Sequence, residues 1–207
     1  MMVKKIISLL AIISLICWGI RFYNINGTFL PHYEYETEIY PMDNAVCFDD
    51  NMSYNVYYSP GYSISVKSAR IITLNEFLDE YDKSVEDFRY PPECFIEIEA
   101  TIENYGSDNT QEGIYFYSLP LLGVDWYTFY NGEATAYANS FFEDDTTASY
   151  GVLVRKGTSA NVKILYNLKE DFFTSKRWNS LANEDIWMSV SLKPIQKLIQ
   201  ISLEANN

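Results

Sequence analysis

The chain has 207 residues, 48% of them hydrophobic and 21% charged, the balance of a globular domain rather than of a disordered segment. Its formal net charge of −13 repels phosphate backbones and anionic headgroups, and no nucleic-acid partner is expected. With one histidine and three cysteines, it offers little for a Ser-His-Asp or Cys-His mechanism or for a closed zinc site.

The first element is the run MMVKKIISLLAIISLICWGIRF. Lys4 and Lys5 precede an uncharged stretch from Ile6 to Ile20, and Arg21 follows it. A helix of that length spans about 22 Å, against a hydrocarbon core of about 30 Å. Snorkelling by Lys4 and Arg21, with Phe22 and Tyr23 at the interface, closes much of the gap. The basic end comes first, which places the C-terminal bulk outside the cytoplasm. Three fates compete: an uncleaved signal-anchor, cleavage near Cys17-Trp18-Gly19, and lipidation of Cys17. Ile16 is β-branched where a lipidation site takes a small residue, and Trp18 and Arg21 sit badly around a cleavage point. Residues 1–21 are therefore expected to form a transmembrane signal-anchor, with secretion after cleavage as the alternative.

Residues 22–40 hold Gly27, Pro31 and the only histidine, His32, without a helical period, and are expected as a tether. The folded domain is expected over 41–207. Strands are predicted at Asn55 to Tyr58 and at Tyr62 to Thr73, where Ile64 and Val66 are in phase. TLNEFLDEY then reads as a helix. Thr73 and Glu76 form a capping box, and Leu74, Phe77, Leu78 and Tyr81 make one apolar stripe. This helix is expected to close one end of the fold.

CFIEIEATIENYG gives the clearest strand. Ile96, Ile98, Ala100 and Ile102 alternate with Glu97, Glu99, Thr101 and Glu103, one face buried and one wet. Further strands are predicted at Ile114 to Leu119 and at Val152 to Arg155. After the turn Lys156-Gly157-Thr158, Ala160, Val162, Ile164, Tyr166 and Leu168 share one parity. Ile186, Met188, Val190 and Leu192 do the same until Pro194, and Ile199, Ile201 and Leu203 close the chain. Many short strands, without repeated βα alternation, predict an all-β antiparallel sandwich with one short inserted helix.

This order is carried by YSISVKSARIITLNEFLDEY, CFIEIEATIENYG, RKGTSANVKILYNL and WMSVSLKPIQKLIQISL behind an apolar leader. It resembles the extracytoplasmic immunoglobulin-like domains of unknown function found in Gram-positive bacteria. The likeness covers roughly residues 62–203 and rests on fold patterns. It implies an immunoglobulin-like β-sandwich outside the cytoplasm and no catalytic residues. The chain departs from many such proteins in lacking a lipid-modification site.

No GxGxxG and no phosphate-binding loop occurs, and no cofactor is expected. Asp49-Asp50-Asn51 and Glu143-Asp144-Asp145 are oxygen-rich but lack the spacing of a calcium loop and read as solvated turns. Cys94 has the inward parity of Ile96, and a bridge to Cys47 across two sheets is an open alternative to two free thiols. The aromatic residues Tyr54, Tyr57, Tyr58 and Tyr62, and Trp126, Tyr127, Phe129 and Tyr130, are candidates to stack on sugars or to anchor a protein. Of these, Tyr54, Tyr57, Tyr58, Trp126 and Tyr127 are the site residues expected. The expected function is that of a membrane-anchored, outward-facing binding module for a protein or a cell-wall glycan. A carboxylate-using envelope hydrolase and a purely structural envelope protein are the alternatives.

Overall fold

The computed structural model describes residues 14–18, 21, 36–54, 57–106, 113–140 and 150–204. The chain divides into two units, Met1–Glu34 and Tyr35–Asn207. In the first, residues 14–18 are helical and exposed, and the rest of the expected anchor lies outside the described residues, as does His32. Among the described residues no helix is long and apolar enough to cross a membrane.

The second unit begins inside the stretch expected as a tether. Glu36–Tyr40 is a strand, β1, which pairs in parallel with Ile195–Ile201, β11, over Glu36 to Tyr40. The tether is shortened by these residues. Their partner lies 159 positions away, and a local pattern carries no sign of such a pairing.

Two sheets make the fold. Val46–Cys47 (β2), Tyr62–Thr73 (β3), Cys94–Asn104 (β4) and Thr158–Leu168 (β9) form the first, in the order β2-β3-β4-β9. Leu121–Leu122 (β6), Tyr127–Thr128 (β7) and Ile186–Ser191 (β10) join β1 and β11 in the second, in the order β1-β11-β10-β6-β7. Ile114–Tyr115 (β5) and Gly151–Val152 (β8) pair separately. The inward positions predicted from parity meet in one core: Ile96, Ile98 and Ile102 of β4, Ile164, Tyr166 and Leu168 of β9, Met188 and Val190 of β10, and Ile199 and Ile201 of β11. The protein is all-β in two layers. β3 and β4 pair antiparallel along their length, from Tyr62 opposite Asn104 to Thr73 opposite Cys94.

Leu74–Glu80 is helix α1, capped as the sequence predicts. The Thr73 backbone N–H donates to Glu76 Oε2 at 2.7 Å, and the Glu76 N–H donates to Thr73 Oγ1 at 3.3 Å. The helix covers an outer sheet face rather than an end. Phe77 packs with Ile72, Phe88, Phe95, Ala134 and Leu165 in a second apolar cluster, with Leu74, Leu78 and Tyr81 around it. The face of β4 expected to be wet is thus covered over Phe95 and Glu97, both buried.

Among the described residues of this unit two further α-helices occur, α2 at Gly132–Tyr137 and α3 at Ser175–Trp178. The α2 segment covers the free edge of β9. Asn139 accepts the Lys163 N–H at 2.9 Å and donates to the Lys163 carbonyl at 2.7 Å. Thr135 Oγ1 accepts the Leu165 N–H at 3.1 Å, and the Asn131 N–H donates to the Leu165 carbonyl at 2.6 Å. Side chains and one loop amide thus replace a neighbouring strand and close an edge that would otherwise invite pairing. Three predicted strands contract. Of Asn55 to Tyr58, residues 55–56 lie outside the described residues and Tyr58 makes only an isolated bridge to Met52. Ile114 to Leu119 is strand only at β5, followed by a 3-10 turn at Phe116–Ser118. Val152 to Arg155 is replaced by β8.

Candidate binding surface

Strand register decides the cysteines. Cys47 lies opposite Ser63 at one end of β3, and Cys94 lies opposite Thr73 at the other. Ten residues of strand separate those positions by about 33 Å, and a disulfide spans about 4.4–6.8 Å between Cα atoms. Both cysteines are free, and the bridge considered from the sequence is corrected. The inward parity of Cys94 holds, but both residues belong to one sheet. Burial pushes the Cys94 thiol up to about 12, so it stays neutral in the core.

The expected aromatic residues divide. Tyr62 is fully buried and donates its hydroxyl to the Val154 carbonyl at 3.1 Å. Trp126 is a packing residue. Its ring sits edge-on to Phe173 and its Nε1 donates to Glu184. It also lies over Gly123, where a Cβ would strike the indole, so the backbone needs glycine there. Tyr58 is 52% exposed and makes no ring contact among the described residues.

Tyr54, Tyr57 and Tyr127 do enter a common type of surface. Phe129 stacks on Tyr117 with centroids 4.4 Å apart and planes 4° apart. Tyr54 leans on Phe129 at 5.1 Å, and Tyr127 meets it edge-on at 5.6 Å. Tyr57 stacks on Tyr115 at 4.4 Å. These rings come from the segment after β2, from β5 and the turn after it, and from β7. Tyr57, Tyr117 and Tyr127 remain exposed, Tyr127 at 66%. Ring contacts of this geometry hold the side chains still while their outer faces stay wet. Tyr115 and Tyr117 were missed by sequence reasoning. Their signal was parity: Ile114 and Phe116 are buried, and the alternate positions point outward. Tyr130 packs edge-on to Phe116 at 5.8 Å. Burial, with Tyr150 and Tyr117 nearby, pushes its hydroxyl up to about 12.

The carboxylates gather elsewhere, under α1. Glu97 is 2% exposed and accepts from Arg70 Nε at 2.9 Å and from the Tyr81 hydroxyl at 2.6 Å. Lys163 Nζ donates to the Tyr81 oxygen at 2.8 Å and reaches Glu80 at 3.3 Å. Burial opposes the ionised Glu80, yet Arg70 and Lys163 outweigh it and hold the carboxyl below its ordinary value. Burial, then Glu97, pushes the Tyr81 hydroxyl well above its ordinary value. Glycoside hydrolysis needs a carboxyl kept protonated near neutrality, and Glu80 is held the opposite way. The network fastens α1 to the sheet. Glu143-Asp144-Asp145 lies outside the described residues. Asp49 pairs with the buried Lys197 at 2.6 Å. Among the described residues no group of acids, cysteines or histidine is placed to hold a metal ion.

The described residues thus define a two-layer all-β protein with an immobilised aromatic surface. The chain belongs to a family of domains of unknown function (DUF5028), whose model matches residues 37–197. No curated protein and no solved structure matches it.

Proposed function

We propose that this protein is a non-catalytic recognition module that engages an envelope partner through the tyrosine surface around Phe129. One observation carries the reading: Tyr54, Tyr117 and Tyr127 are held by ring contacts to Phe129, and two of the three are substantially exposed. Fixed aromatic rings lose little side-chain entropy on binding and bring apolar area together with a hydroxyl. Exposed rings of this kind, clustered and braced, mark interaction sites more often than scattered ones do. The net charge of −13 turns the module away from anionic polymers. The apolar leader and its preceding lysines support a position outside the cytoplasm, held at a membrane.

Position-specific crosslinking tests this. A benzophenone side chain placed at Tyr127 of the full chain in its native membrane should give a discrete adduct on irradiation. The same group at Val85, 43% exposed beyond α1, should give none. Equal labelling from both positions overturns the reading.

A further inference from the structure

A cleft of about 440 Å³ opens at Tyr130, the residue after Phe129, a volume within the range of about 300–1,000 Å³ common to small-molecule sites. Four stretches distant in sequence build it. Arg89 and Tyr90 lie between α1 and β4. Tyr130, Asn131 and Glu133 lead from β7 into α2. Tyr150 stands just before β8, and Asn167 lies on β9.

The lining has a specific chemistry. Tyr90 and Tyr150 are 70% and 61% exposed, and Tyr130 is half-buried. Among the described residues no aliphatic side chain lines the cleft, and this lining does not suit a purely apolar ligand. The two ionised residues of the described lining, Arg89 and Glu133, carry opposite signs. The Arg89 guanidinium lies over the Tyr90 ring at 5.4 Å, and the Arg89 N–H donates to Glu133 Oε2 at 3.3 Å. Asn131 Oδ1 accepts the Ala134 N–H at 2.8 Å, and its Nδ2 donates to Asn167 Oδ1 at 2.8 Å. The Asn167 amide is thereby fixed through its oxygen, and its NH₂ group donates to none of the described residues. A planar amide with two unspent donors, an acceptor carboxylate and broad aromatic faces stand around one cleft.

That combination suits a sugar. A pyranose ring presents C–H groups on one face and hydroxyls around its rim. The face matches an aromatic ring, and the rim matches amide and carboxylate groups. A phosphate-bearing or sulfated ligand meets a near-neutral lining on a chain of net charge −13 and is repelled.

We propose that this cleft binds one pyranose unit of a neutral glycan, with the sugar ring against Tyr150 and Tyr90 and its hydroxyls on Asn167 and Glu133. The assignment rests on the reading of the protein as a recognition module, and it names the ligand class.

Isothermal titration of the full chain in a sugar-free detergent, lauryldimethylamine oxide, tests it. The probes are cellohexaose, chitohexaose, laminarihexaose and mannohexaose, with a heparin hexasaccharide for contrast. At least one neutral hexasaccharide should bind saturably and the heparin fragment should not. Tyr150→Ala and Asn167→Ala should each weaken binding about tenfold or more, and Ile39→Ala, exposed on β1 of the other sheet, should leave it unchanged. Tyr150 is exposed, so its variant keeps the test informative if Asn167→Ala unfolds. Failure of all four neutral sugars to bind overturns the proposal, as does binding that survives Tyr150→Ala unchanged. If no sugar binds but irradiation at position 127 still gives its adduct, the glycan assignment falls and the recognition reading stands. If the adduct is absent as well, both fall.

Discussion

Replacing Glu97 with Gln keeps the side chain's shape and removes its charge. The carboxylate is 2% exposed and takes Arg70 Nε at 2.9 Å, Arg70 Nη2 at 2.7 Å and the Tyr81 hydroxyl at 2.6 Å. A hydrogen bond to a charged group contributes about 1.5–3 kcal/mol, and breaking a buried ion pair costs about 3–5 kcal/mol. Two features lower that ceiling. Arg70 and Lys163 are 37% and 27% exposed, so water screens both. Glu80 also remains to pair with each of them. The expected loss is about 2–3 kcal/mol, and it lowers the melting temperature by roughly 4–12 °C in a chain of this size. Urea unfolding followed by tryptophan fluorescence should show a lower midpoint with an unchanged slope. Amide exchange in the last turn of α1 should quicken, because the bond from the Tyr81 hydroxyl to a carboxylate becomes a weaker one to a neutral amide. A variant within about 0.5 kcal/mol of the parent, with α1 equally protected, contradicts the role of Glu97 as the anchor of this helix.

Asn139→Ala removes the bonds to both backbone groups of Lys163. It should cost about 2–3 kcal/mol in urea unfolding and make the protein associate in sedimentation velocity, as the β9 edge opens. A monomer of unchanged stability contradicts the edge-covering role. Alkylation in denaturant without reductant should modify both Cys47 and Cys94, read by mass, whereas in the native protein at pH 8 Cys94 should stay unmodified. A mass showing the two linked contradicts the register. Glu80 and Glu184 are both held low in the folded state. At Glu80, Arg70 and Lys163 overcome the effect of burial; at Glu184, hydrogen bonds from Arg177 dominate. Their contribution is full above the unfolded carboxylate value of about 4.3 and is lost as pH falls from there through the depressed folded values. The urea midpoint should therefore drop between about pH 5 and pH 3, and a flat profile there contradicts these pairings.

The strands that parity can define were legible. Ile96 to Ile102 and Val162 to Leu168 alternate cleanly because each has one face in the main core, and the capping box at Thr73 is a local signal for a local structure. What remained hidden depends on distant partners. Glu97 has the same parity as Glu99 and Glu103, and nothing in the strand tells that α1 arrives over one of them and leaves the others wet. GEATAY, the α2 sequence, is too short for an apolar stripe, and its stability comes from Asn131, Thr135 and Asn139 bonding to β9. Cys94 was read correctly as inward, but the end of the sheet it occupies is set by pairing. Of the aromatic surface, Tyr54, Tyr57 and Tyr127 could be proposed from aromatic density alone. Trp126 could not be separated from them, because its burial against Phe173 depends on α3. The cleft was not legible, since Tyr90, Tyr150 and Asn167 share no motif and meet only when β9 and α2 are in place.

Equilibrium binding of the full chain to envelope fragments of the cell that makes it tests the recognition reading most directly, with a Tyr57→Ser, Tyr117→Ser and Tyr127→Ser triple variant measured alongside. The account predicts saturable binding by the parent. The triple variant should bind about tenfold more weakly or worse, measured in buffer without denaturant where circular dichroism shows it folded like the parent. Equal affinity of the two proteins, or no saturable binding by the parent, contradicts it.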